Sequence, residues 1–180
     1  MTTPAIDPSD DTNTPAAIAA GLVAQLKQSQ HRLILAESCT CGAAAAAIGS
    51  IPGASQVFCG SAVTYRETTK QAWLGITAAD LKQHTAESQA ITNAMATSVL
   101  ERTPDATIAA TITGHLGPDA PPAVDGILFI AVLQRGCELE AQRIVLRSST
   151  RQSRQTEATA NFLAAIQRHL SLPGRIPANE

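Results

Sequence analysis

The chain has 180 residues, 44% of them apolar and 16% charged, with a formal net charge of −2. Such a chain can bury about two-thirds of the surface it exposes when unfolded, which sets it apart from disordered sequences. The charge balance excludes a broad nucleic-acid footprint, and no run reaches the ~20 apolar residues of a membrane span.

Residues 1–13 carry two prolines, three aspartates and no apolar period, and read as a disordered tail. This acidic start is the opposite of a signal peptide, so a cytoplasmic protein is expected. Cys39, Cys41, Cys59 and Cys137 are then expected to be reduced. Thr14 followed by Pro15 opens a helix, and Ile18, Leu22 and Leu26 give it one buried stripe up to about Gln28. "RLILA" is a short strand, apolar on both faces, as a sheet covered by helices requires.

Gly42 to Gly49, "GAAAAAIG", has helix propensity and side chains small enough for close packing. After the break at "PGAS", "VFCGSAVTY" is a second strand, followed by a short helix over 67–73. Ser88 caps a helix with the stripe Ile91, Met95 and Val99, ending near Glu101. "TIAATIT" is a third strand and "GHLGPDAPPA" a loop. "GILFIAVLQ" and "LEAQRIVLR" form a hairpin around "RGCE". A last helix from about Thr150 buries Ala158, Phe162, Ile166 and Leu170, and residues 173–180 fray. The basic residues Arg143, Arg147, Arg151 and Arg154 read as a solvated face. The alternation predicts one domain over 14–172, a three-layer α/β/α sandwich around a mixed, mostly parallel sheet.

Three polar segments, "ESCTCG", "TYRETTK" and "TGHLGPD", each follow a predicted strand. Ligands in open α/β sheets bind beyond the carboxyl ends of strands, so these loops are the expected site. A metal is not expected. Cys39-x-Cys41 lacks a second close pair, and His31, His84, His115 and His169 are scattered. Cys-x-Cys also lacks the spacer of a thioredoxin-like redox pair, and Cys39 reads as a small buried hydrophobe. Ser38 stands between a strand end and a helix start. There it is either a cap or a nucleophile beside backbone N–H groups that could hold an oxyanion. A nucleophile needs a base, and Lys70 and Tyr65 lie on the next loop and helix start.

"LAESCTCG", "SIPGASQVFCGSAVTYRETTKQAWLGI", "TITGHLGPD" and "GILFIAV" together resemble the C-terminal domain family of the competence/damage-inducible protein CinA, over residues 15–170. The resemblance implies a stand-alone version of that domain, an α/β/α fold, and a homodimer. It also implies hydrolysis of the carboxamide of nicotinamide mononucleotide, a pyridine nucleotide, to nicotinate mononucleotide and ammonia, without a cofactor. The family's serine nucleophile falls on Ser38, and its tyrosine and lysine fall on Tyr65 and Lys70. Its substrate loops fall on Glu37, Thr40, Cys41 and Gly42 and on Thr113, Gly114, His115 and Gly117, with Arg151 adding positive charge. In this scheme Lys70 takes the Ser38 proton, Tyr65 relays it or orients the lysine, and N–H groups of 40–42 hold the oxyanion. Cys41 stands where the family has glycine, Arg66 and Glu67 where it has a Ser-Asn pair, and His115 and Asp119 alter the third loop. The alternative these changes leave open is a weak or inactive module that keeps the pocket for a nucleotide or a protein.

Overall fold

The computed structural model describes residues 11–172, so the predicted tails at 1–10 and 173–180 lie outside the described residues. Asp11–Asn13, read as tail, form one turn of 3-10 helix. Helix α1 (Pro15–Gln28) starts where Thr14 Oγ1 accepts the N–H of Ala17 at 3.3 Å, and it buries Ile18, Leu22 and Leu26. Strand β1 (Leu33–Glu37) is buried at all five positions. It leads through a four-turn-residue loop to helix α2 (Ala43–Gly49). Strand β2 (Phe58–Val63), helix α3 (Glu67–Leu74), helix α4 (Ala78–His84) and helix α5 (Gln89–Glu101) follow. Strands β3 (Ile108–Gly114), β4 (Ile127–Gln134) and β5 (Glu140–Val145) then precede the long helix α6 (Arg151–Leu170).

The strands lie in the order β2-β1-β3-β4-β5. β1 pairs in parallel with β2 and β3, and β4 pairs antiparallel with β3 and β5. Four of the five strands therefore run one way and β4 alone runs back. The five-residue connection 135–139 is too short for a parallel crossover, so β5 returns antiparallel to β4.

Each face of the sheet has its own core. Leu33, Leu35, Ile108, Ile112 and Ile130 pack with α1, α2 and α6, including Leu22, Ile48 and Phe162. Ile34, Ala36 and Ala109 pack on the other face with Leu74, Leu81, Ile91 and Met95 from α3, α4 and α5. Phe162 is wholly buried, which contributes on the order of 2–3 kcal/mol. The sandwich is three-layered, as expected.

Helix α4 is the element the sequence pattern does not announce. It has seven residues and one buried side chain, Leu81, so no period can show. Its start is fixed by Thr77, whose Oγ1 accepts the Asp80 N–H at 3.0 Å.

Candidate active site

Because β2, β1 and β3 are parallel, their carboxyl ends share one edge. Glu37 at the end of β1 stands opposite Val63 of β2 and Ile112 of β3. The residues that follow, Ser38, Thr64–Tyr65 and Thr113–His115, therefore leave the sheet together. All three polar segments singled out in the sequence converge there.

At the centre lie Ser38 and Lys70. Helix α3 begins after the β2 loop, and Thr69 helps to seat its first turn by accepting the N–H of Arg66 at 3.2 Å. One turn in, Lys70 points into the protein and is fully buried. Its Nζ donates to Ser38 Oγ at 3.0 Å and to the Thr64 carbonyl at 2.9 Å. Burial disfavours the ammonium and pushes the Lys70 pKa below its ordinary value, while Glu87, Cys39 and Glu67 oppose the shift. A neutral amine against a serine hydroxyl can accept that hydroxyl's proton along the same contact. The adjoining Cys39 is inert by comparison: burial pushes its thiol up to about 12.

Glu37 has a different task. It is fully buried, and its carboxylate accepts from Thr40 Oγ1 at 2.8 Å, Gly42 N at 3.0 Å and Ala44 N at 3.2 Å. It also accepts from Ala45 N and Ser61 Oγ, each at 3.0 Å. Helix α2 has no cap from its own N-terminal residue, Gly42, so Glu37 serves as a remote one. This corrects two expectations. Glu37 faces the helix and does not line the cleft, and the N–H groups at the start of α2 are already taken. Cys41 N likewise donates to the Ser38 carbonyl at 3.1 Å. Thr40 is buried beneath the loop, with its hydroxyl on Glu37 and its carbonyl accepting from Gln155 Nε2 at 3.1 Å.

Cys41 adopts φ 52° and Gly42 φ 90°, so the turn needs two consecutive left-handed residues. A cysteine there costs about 1 kcal/mol of strain. Its side chain is exposed and neither it nor Gly42 lines the cleft, so the thiol does not narrow the pocket.

The cleft above Ser38 has a volume of about 200 Å³. Tyr65, Glu87 and Arg151 line it together with the loop from Gly114 to Ala120. Gly114, His115 and Gly117 are thus on the wall, whereas Thr113 lies behind it, buried, with its hydroxyl 2.8 Å from that of Thr92. Tyr65 is half-exposed at the rim. Arg151 joins two walls, donating to Tyr65 Oη at 2.9 Å and to the Gly117 carbonyl at 2.5 Å. Beyond the loop a larger cavity of about 650 Å³ is bordered by Ser149, Thr150, Arg151 and Arg154 at the start of α6. Arg154 is paired there with Asp125 through contacts of 2.6 and 2.8 Å. Arg151 and Arg154 are therefore engaged at the site, which corrects the reading of all four arginines as a solvated face.

Sequence reasoning passed over Glu87. Its carboxylate lies 3.6 Å from His115 Nε2 on the cleft wall. It sits in an unpatterned turn before Ser88, and only the facing loop gives it meaning. No cluster of His, Cys, Asp and Glu among the described residues could hold a metal ion. No helix among them is long and apolar enough to cross a membrane.

Comparison with known proteins agrees with this architecture. A family model for the CinA C-terminal domain matches residues 15–170. A CinA-like protein of Myxococcus xanthus is 33% identical over 156 residues, covering 86% of this chain and 37% of that protein. A CinA-like protein of a Synechococcus strain is 38% identical over 141 residues, 76% of this chain and 32% of its own length. The chain thus spans about a third of the curated relatives it matches. Among solved structures, a CinA superfamily protein from Escherichia coli superposes with a TM-score of 0.82 at 26% identity, covering 93% of this chain and 95% of the other. One from Klebsiella pneumoniae gives 0.81 at 27% identity, with coverage of 87% and 98%.

Proposed function

The chain belongs to the CinA C-terminal domain family, and from that premise we propose that it is an amidohydrolase acting on the carboxamide of nicotinamide mononucleotide. The observation that carries the reading is the 3.0 Å contact between Ser38 Oγ and the buried Lys70 Nζ at the floor of a cleft.

An amide carbonyl is a poor electrophile, so the serine must lose its proton as it attacks. Lys70 takes the proton from Ser38 Oγ while Oγ bonds to the carbonyl carbon. The tetrahedral adduct then collapses. The C–N bond breaks, and the Lys70 ammonium passes its proton to the departing nitrogen, which leaves as ammonia. Water attacks the resulting ester, losing its proton to Lys70; the bond from the carbonyl carbon to Oγ then breaks, the Lys70 ammonium returns the proton to Ser38 Oγ, and the acid is released.

Since Glu37 occupies the N–H groups of α2, the oxyanion falls to backbone on the cleft wall, Cys39 on one side and Leu116–Gly117 on the other. Tyr65 and Arg151 close the rim and orient the substrate. The phosphate end suits the larger cavity, where Arg151 and the start of the 20-residue helix α6 favour an anion.

The test is ammonia release from nicotinamide mononucleotide by the wild type and by Ser38→Ala. Turnover should disappear in the variant while its thermal unfolding midpoint stays close to wild type. Equal turnover in the two proteins would remove the serine mechanism.

A further inference from the structure

The cleft holds a second ionisable pair, Glu87 and His115, that the scheme above does not use. Both side chains are about 30% exposed and stand on the same wall as Ser38, with Glu87 Oε2 3.6 Å from His115 Nε2. They come from separate elements. Glu87 precedes the N-cap of α5, and His115 follows β3. The two polar groups thus face each other on the wall of the cleft that Ser38 lines.

Their placement matters because of what Lys70 lacks. Its contacts are a hydroxyl and a carbonyl, both neutral, and no carboxylate among the described residues touches it. When it takes the serine proton, a full positive charge forms in a buried site, where the Thr64 carbonyl and nearby anions stabilise it. Charged and titratable groups around it are few. Glu87 comes from the turn before α5, Glu67 from its own helix, and Cys39 from the β1 loop, the last held as a thiol by burial. Tyr65, His115, Asp119 and Arg151 share the cleft. Glu87 and Asp119 are the two carboxylates on the wall of the cleft that Ser38 lines, and Glu87 is the one held against an imidazole; its charge opposes the fall of the Lys70 pKa.

We propose that Glu87 is a positioning residue for the Ser38–Lys70 pair, the counter-charge that stabilises the ammonium formed when the Ser38 O–H bond breaks, with His115 holding its carboxylate over the cleft. This rests on the serine–lysine reading above. Glu87 forms no bond to substrate. It acts through Lys70, so its removal should alter the pH at which the pair becomes reactive as well as the rate.

A serine-directed fluorophosphonate reads that pH without the amide substrate. Labelling of Ser38, followed by mass spectrometry of the full chain, should rise with pH as Lys70 loses its proton. In Glu87→Gln the ammonium loses its counter-charge, so the midpoint should move down by about one pH unit. Glu87→Asp, which keeps the charge, should return the midpoint toward wild type. A shared midpoint in wild type and Glu87→Gln would overturn the proposal while leaving the serine–lysine pair standing. Failure of Ser38 to label at any pH in the wild type would overturn the pair, and the role of Glu87 with it.

Discussion

Two ionisable side chains are wholly buried at the edge where β1 ends, and they are partnered in opposite ways. Glu37 has five donors on its two oxygens. Lys70 has two neutral acceptors and, among the described residues, no anion in contact. A buried charge with all its hydrogen bonds made is a structural fixture, and one left short of partners is inclined to give up its charge. Burial alone would have grouped the two residues. The count of partners separates the one that builds the loop from the one suited to chemistry.

Substitutions at the two positions should therefore fail differently. The largest effect is expected for Lys70→Met, with turnover of the amide falling about 10³-fold as the base is lost. The same variant should change the pH dependence of stability. Folding lowers the Lys70 pKa, so between that depressed value and about 10.4 the unfolded chain binds more protons than the folded one. Wild-type stability should rise with pH across that window, and Lys70→Met should flatten the rise in urea unfolding measured from pH 7 to 10. Unaltered turnover would erase the contrast with Glu37.

Next in size is Glu37→Gln. One carboxylate oxygen becomes an NH₂ facing donors, and the variant should lose about 2–4 kcal/mol of stability, read from the urea midpoint at constant m. Its folded fraction should still label at Ser38. Loss of labelling in well-folded protein would give Glu37 a chemical role and collapse the distinction. The smallest effect is expected at Cys41. Replacing it by glycine relieves a left-handed φ of 52° and should add about 0.5–1 kcal/mol, with turnover unchanged because the thiol lies off the cleft wall. A change in KM would instead place that side chain against the substrate.

The same contrast explains what could be read beforehand. Helices α1, α5 and α6 and the hairpin β4–β5 carry their period and caps in the sequence, as Thr14, Ser88 and Thr150 show. β1 shows no alternation, because helices cover both its faces. Its apolar run stops at Ala36, one residue before the strand does, and no local pattern indicates that Glu37 turns inward. The Ser38–Lys70 contact spans 32 residues of chain, a distance no local pattern bridges, and it was legible only through the resemblance of separated motifs. Glu87 had no such help. Its proposed role depends on His115, 28 residues on, and on the packing of α5 against β3 that brings the two loops together.

Arg151 gives the molecule an order in time. Its guanidinium joins segments 86 and 34 residues back along the chain, at Tyr65 and at Gly117. On a ribosome the serine, the lysine and the strands that hold them emerge before the residue that links the walls above them. A nascent chain can thus assemble the floor of its cleft while the rim still awaits α6.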